Sequence, residues 1–242
     1  MTAGGVARAR AVSVTAAVAA ATQTRIDEIS ILLGVIGRLS VTSAAKVPTI
    51  SREERVVKGL AFVLLYAALE HGISSAVESF LAAVAAKNVS ITDLEPVLHV
   101  AVLDAQFQSA RNVGRDKMWT ARLRLVRDQS ETVPCVATPS IFGTDLQSTR
   151  ADIMGQIFDI LAITAPIVPN PTLLGYLSEF HGQRCVVAHG EEQAATVGAR
   201  ISLPDLYVKR DALFAILQHW FATLDNHFNS KRYIKAAARH RY

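Results

Sequence analysis

The chain has 242 residues, of which 50% are apolar and 19% are charged, and its formal net charge is +4. This composition provides enough apolar surface for a folded core and excludes an intrinsically disordered protein. The two cysteines, Cys135 and Cys185, are too few for a disulfide framework and fit a reducing compartment.

Residues 1–23 begin with two arginines and continue into an apolar stretch made mostly of alanine. The arrangement is that of a weak secretory signal, and an N-terminal arm explains it equally well. We interpret residues 1–23 as an Ala-rich arm and expect the protein to be cytoplasmic.

Short capping patterns predict where helices begin. A Ser or Thr followed three residues later by an acid can satisfy the free backbone amides of a helix N-terminus. Asn followed by Pro suits the same position. These patterns predict six helix starts, at Thr24, Ser51, Thr92, Thr149, Asn170 and Ser202. The second helix is expected to end near Lys87, and residues 24–229 are expected to form one all-α domain.

Residues 115–148 interrupt the helical pattern. Basic and apolar residues alternate from Arg122 to Arg127, and Pro134 and Pro139 follow. Alternation is typical of a strand, and proline is typical of loops. We predict an irregular insertion that covers a site, contacts a partner or serves only as a connecting loop.

Glu70 interrupts the longest apolar block, which begins at Leu60. The block is too short to cross a bilayer, so we expect no membrane association. A buried carboxylate needs a partner because its desolvation is costly. Arg184 is the candidate partner; the alternative is a surface Glu70 that pairs with a lysine.

Arg184 and His189, five residues apart, carry the candidate chemistry. Arginine binds phosphate oxygens with a planar fork, and histidine transfers protons near neutral pH. The pair is sufficient to cut RNA without a metal, through attack of the ribose 2′-hydroxyl on the phosphate. On a straight helix the two side chains lie about 140° apart. They would converge only if the helix breaks near Gly190 or if a second copy of the chain supplies one of them.

The run RCVVAHGE, from Arg184 to Glu191, resembles the R-x4–6-H motif of the HEPN superfamily, which often ends in Ala-His-Gly. The run LLYAALE, which ends at Glu70, resembles the earlier long helix of the RiboL-PSP/MAE-type branch. The resemblance covers about residues 50–230. Cys185 stands where the family usually has asparagine or another polar residue.

The resemblance implies an antiparallel helical bundle that acts as a homodimeric, metal-independent endoribonuclease in growth arrest or phage defence. Arg184 would hold the scissile phosphate, His189 would act as base or acid, and Glu70 would orient one of them. RNA would be the substrate, an antitoxin or sensor protein would be a further partner, and no cofactor is expected. The second hypothesis is a catalytically silent HEPN-fold module that binds nucleic acid or protein.

The C-terminal tail, residues 230–242, has five Lys or Arg residues and no acid. Such a tail can bind a nucleic-acid backbone, and Lys231, Arg232 and Lys235 are the candidate RNA-binding residues. A frayed, solvated terminus is the alternative.

Two other chemistries use the same helix. His181, Cys185 and His189 lie at i, i+4 and i+8 and could form a three-ligand zinc site. Cys185 and His189 could form a thiol nucleophile with its base. The sequence contains no Walker loop, no G-x-G-x-x-G and no G-x-S-x-G motif, so nucleotide-dependent and ordinary hydrolase chemistry have no support.

Overall fold

The computed structural model describes residues 11–41, 50–129 and 149–242, and within these ranges the regular elements are helices. The α-helices of this part of the chain are α1 (Ala16–Val41), α2 (Arg52–Ala86), α3 (His99–Val102), α4 (Asp104–Asn112), α5 (Met118–Asp128), α6 (Ala151–Ile160), α7 (Leu174–Ala188), α8 (Ala194–Ala199) and α9 (Leu203–Asn229). Short 3-10 helices cover Ile91–Asp93, Pro96–Leu98, Pro171–Leu173 and Ala236–Arg241. The predicted all-α, HEPN-like helical bundle is confirmed.

The long helix α2 lies at the centre of the bundle and packs against α1, α7, α8 and α9. It begins as predicted, because the Ser51 side chain accepts a hydrogen bond from the Glu54 amide at 3.1 Å. In the described part of the chain, α2 is the one helix that is long and apolar enough to span a membrane. Over half of that apolar stretch, 56%, is buried inside the protein, as in the core helix of a bundle.

The start of α1 differs from its prediction. The helix begins at Ala16 rather than Thr24, because Asp225 of α9 supplies the cap. Its carboxylate accepts hydrogen bonds from the Val14 and Thr15 amides at 2.9 and 3.1 Å. The Thr24 hydroxyl instead donates to the Ala20 carbonyl, as hydroxyls inside helices do.

The remaining starts divide into two groups. Ser202 and Asp205 form both halves of a capping box, and the Asn170 side chain accepts from the Thr172 amide, so both of these starts are confirmed. Thr149 does not cap α6, which begins after Arg150. The α-helix predicted to begin at Thr92 is wrong, because this segment forms the two 3-10 helices Ile91–Asp93 and Pro96–Leu98.

The predicted irregular insertion is wrong for its first part. Residues 118–128 form α5, which packs on α4 as a helical hairpin. Leucine, arginine, methionine and alanine favour helix, and in this segment that preference outweighs the strand-like alternation. Residues 130–148 lie outside the described residues.

His227 on α9 makes stability depend on pH. It is 5% exposed and packs against the Phe80 ring. Burial lowers its pKa from 6.5 to about 4, although a hydrogen bond with the Leu161 backbone acts in the opposite direction. The unfolded chain therefore binds a proton first as the pH falls, and stability is lost between about pH 6.5 and pH 4.

We expect this histidine to cost up to about 3 kcal/mol of unfolding free energy across that interval. Urea unfolding at pH 7 and pH 4.5 measures the loss, and His227→Phe should reduce it because phenylalanine does not titrate. An equally large loss in the variant would contradict this assignment.

Candidate functional site

The Arg-x4-His motif lies at the end of α7: its arginine is inside the helix and its histidine is the C-cap residue, and the helix ends at Gly190 as predicted. The Glu191 amide donates to the Val186 carbonyl at 3.0 Å, and the Gly190 amide donates to the Val187 carbonyl at 3.3 Å. Gly190 has φ +74°, which glycine adopts at little cost. These bonds form a Schellman turn, a common end of an α-helix.

This turn comes after His189, so it does not bring the motif residues together. The helical hydrogen bonding continues through the His189 amide, which donates to the Cys185 carbonyl at 2.9 Å. Arg184 and His189 therefore stay about 140° apart around the axis within one chain. The first of the two predicted arrangements, a helix break that brings Arg184 and His189 together within one chain, is therefore not observed.

Arg184 is half-buried over an aromatic platform. Its guanidinium carbon lies 5.2 Å from the centre of the Tyr66 ring, within the range of a cation–π contact. Tyr66 is 1% exposed, and its hydroxyl accepts a hydrogen bond from the Thr149 amide at 3.0 Å. The start of α6 thus fixes the ring on which Arg184 rests.

Glu70 lies one turn after Tyr66 on α2 and is half-buried. Burial raises the pKa of its carboxyl group, and the charge of Arg184 acts in the opposite direction. The two side chains therefore influence each other electrostatically, which is compatible with the predicted partnership. They do not form a close ion pair of the kind that Lys58 makes with Glu54 at 2.6 Å.

His181 is the site residue whose position the sequence did not reveal. It lies one turn before Arg184, and its ring packs edge-on against Tyr66 at 5.8 Å between centroids. Burial lowers the pKa of His181, and the charges of Arg150 and Arg184 lower it further, whereas Asp152 raises it. A neutral imidazole therefore lies beside Arg184, and the i, i+3 spacing on α7 was the signal that could have found it.

His189 has a different environment from Arg184. Its side chain is exposed at the C-terminal end of α7. The described part of the chain provides no hydrogen-bond partner for its ring. The imidazole is therefore accessible to a substrate.

Cys185 lies between the two other polar groups of this face of α7. Its Sγ atom is 3.7 Å from His181 Nε2 and 3.8 Å from Arg184 Nη1. Among the described residues, no three His, Cys, Asp or Glu side chains are grouped so that they could hold a metal. The zinc hypothesis and the pairing of Cys185 with His189 therefore gain no support from the geometry.

The C-terminal tail packs on the bundle instead of fraying. Tyr242 donates to Asp93 at 2.9 Å, and Lys235 Nζ donates to the Thr92 carbonyl at 2.6 Å. Lys231 and Lys235 are half-buried. Of the three candidate RNA-binding residues, only Arg232 is exposed. Within the described residues, the tail forms no hydrogen bond or ion pair with Arg184.

Comparison with known proteins identifies the family. The sequence model of the MAE_28990-like HEPN family matches residues 15–233, which include the motif of α7 and the whole of α2. No curated protein and no solved structure matches the chain significantly. Because the match spans most of the sequence and begins at the observed start of α1, the chain belongs to the MAE_28990-like HEPN family.

Proposed function

We propose that this protein is a HEPN-type endoribonuclease that acts as a symmetric homodimer in the cytoplasm. One observation carries the proposal. In this HEPN-family chain, the same helix presents Arg184, which is held over Tyr66, and His189, which is accessible. A held guanidinium can bind a phosphate, and an accessible imidazole can transfer protons.

The proposed reaction is an internal transfer within the RNA. His189 takes the proton from a ribose 2′-hydroxyl, whose oxygen then attacks the adjacent phosphorus. The bond from phosphorus to the 5′-oxygen of the next nucleotide breaks, and that oxygen receives a proton from solvent water, which takes back the proton held by His189. Arg184 neutralises the charge that develops on the phosphate oxygens. The products are a 2′,3′-cyclic phosphate and a 5′-hydroxyl, and no metal takes part.

The geometry of α7 supports the proposal of a dimer. Because Arg184 and His189 point in directions about 140° apart, one chain does not aim both at one phosphate. A two-fold axis beside α7 would bring Arg184 of one protomer near the partner's His189. Glu70 would orient the guanidinium, because the two side chains already interact electrostatically.

Cleavage of RNA in excess EDTA tests the proposal. We expect the purified protein to cut single-stranded RNA at an unchanged rate in EDTA and to leave 2′,3′-cyclic phosphate ends, which resist ligation until they are opened. A rate that falls to zero in EDTA and returns with Mg²⁺, or products with 3′-hydroxyl ends, would contradict the mechanism.

A catalytically silent binding module is the second candidate function. It is favoured by Cys185, whose Sγ lies 3.8 Å from Arg184 Nη1 where the family usually has a polar side chain. The silent module would bind RNA or a partner protein without cutting RNA. Expression in bacteria separates the two, because a nuclease that serves as a toxin or phage-defence effector should arrest growth and His189→Ala should relieve the arrest.

A further inference from the structure

Three arginines line a polar cavity near the start of α2. The cavity has a volume of about 450 Å³. Its charged and polar lining comes from Arg52, Arg55, Gln193, Thr196 and Arg200, and two alanines complete it. We call it the arginine cavity. No acidic side chain lines it, so its walls offer donors to an anion.

Arg55 is the residue that points most directly to a ligand. Its Nε atom is buried and has no hydrogen-bond partner in the described part of the chain. A buried donor without a partner costs free energy, which an anionic acceptor would recover. Neither Arg52 nor Arg55 forms an ion pair with a described residue, although both act on the exposed carboxylate of Glu53.

Arg200 is held in place by a different contact. Its guanidinium forms two close contacts with the Glu192 carboxylate, at 2.8 and 3.2 Å. This pair neutralises the charge of Arg200 and leaves the charges of Arg52 and Arg55 as the attraction for an anion. A planar guanidinium fork favours phosphate among anions, because it can donate two parallel hydrogen bonds.

Helices α2 and α8, which carry most of the cavity residues, meet without intervening side chains. A Cβ atom at Gly59 would collide with the Ala194 backbone, and one at Gly198 would collide with the Arg55 carbonyl. The cavity residues therefore lie on backbones that are in direct contact.

The position of the cavity relates it to His189. α7 contacts Tyr66 through Arg184, whereas α8 contacts Arg55, so the chain after Arg184 runs toward the start of α2. Gln193 follows His189 by four residues and thus lies within about 14 Å of it along the chain. In chain order, His189 therefore comes between Arg184 and the residues of α8 that line the arginine cavity.

We infer that the arginine cavity binds a backbone phosphate of the RNA, a few nucleotides from the bond that His189 and Arg184 act on. The inference rests on the proposed function, since it names a subsite for the same substrate. The subsite would hold the strand in register but would take no part in the chemistry. It binds phosphate and sugar without reading bases.

Binding of RNA whose 2′-hydroxyls are methylated tests the inference, because such RNA lacks the attacking group and cannot be cut. Fluorescence anisotropy should show about tenfold weaker binding for Arg52→Ala/Arg55→Ala. The salt dependence of binding should also become shallower, by about 0.7 for each lost phosphate contact. Arg55→Gln removes the charge but keeps most of the side-chain volume. It is therefore the cavity variant that should fold like the parent. Arg25→Ala on α1 removes the same charge elsewhere and should bind RNA like the parent.

The outcomes separate the subsite from the nuclease. Unchanged RNA binding by both cavity variants, with normal cleavage by the parent, would overturn the subsite and leave the proposed function intact. A parent that neither binds nor cuts RNA would overturn both. If inorganic phosphate raises the Tm of the parent and of the double variant equally, phosphate binds outside the cavity. That result would also contradict the proposed subsite. If phosphate instead stabilises the parent but not the double variant, while both bind RNA equally well, the cavity is a site for free phosphate. That result would overturn the assignment to RNA.

Discussion

His189→Ala should lower the rate of RNA cleavage by about a hundredfold to ten-thousandfold, the usual contribution of a general acid or base. The variant should fold normally, because the His189 side chain is exposed and the turn at Gly190 is made by backbone bonds. Arg184→Ala should lower the rate by about a hundredfold to a thousandfold, because the transition-state charge loses its donor. Single-turnover cleavage of a labelled RNA measures both effects.

The control variant is His240→Ala, which removes an exposed imidazole outside the candidate site. It should cleave RNA at the parental rate. Full activity in His189→Ala would contradict the proposed role of His189 as acid or base. If His181→Ala were inactive at the same time, that role would belong to His181, the imidazole beside Arg184.

Mixing the two inactive variants tests whether the site is shared between protomers. A dimer with one Arg184→Ala chain and one His189→Ala chain retains one intact arginine and one intact histidine, on different chains. If these two residues act on the same phosphate, the mixture should regain up to about a quarter of the parental activity, because half of the dimers are mixed and each has one of its two sites complete. A mixture that stays inactive while its subunits exchange would contradict a shared site.

Gly198→Ala should lower the free energy of unfolding by about 3 kcal/mol or more. The added methyl group would meet the Arg55 carbonyl, which belongs to a central helix and cannot rotate away as a side chain can. Alanine is about 1 kcal/mol better than glycine inside a helix, so the intrinsic preference alone would stabilise α8. Overpacking against backbone costs more than this gain. Thermal unfolding should show a fall in Tm of about 6–12 °C.

Gly155→Ala is the matched control for this substitution. Gly155 also lies inside a helix, α6, but a Cβ atom there would meet no heavy atom within 4 Å. We expect the control to raise the stability slightly, by about 0.5–1 kcal/mol, as removal of an unneeded helical glycine does. A Gly198→Ala variant as stable as this control would show that α2 and α8 are not packed backbone to backbone.

The features that the sequence predicted correctly depend on contacts between near neighbours. Ser51 and Ser202 cap helices through bonds to residues three positions away, and Gly190 ends α7 through bonds to the preceding turn. Because these interactions lie within a few residues, the pattern of letters is enough to locate them. The run from Arg184 to Glu191 also predicted the family, which the match over residues 15–233 confirms.

The features that the sequence missed depend on residues far apart in the chain. Asp225 decides where α1 begins, and Asp93 holds the tail by accepting bonds from Arg241 and Tyr242. Such contacts are selected by the packing of whole helices, and no local pattern encodes them.

By itself, the sequence determined an all-α HEPN-family chain with an Arg-x4-His motif on a helix that ends at Gly190. Only the tertiary structure decided which side chains surround Arg184, namely Tyr66 and His181. It also decided that two arginines of α2 and the arginine that follows α8 line one cavity. The physical reason is the range of the interactions. Capping and helical periodicity act over one turn, whereas these neighbours are brought together by burial of the apolar faces of α2, α7 and α8.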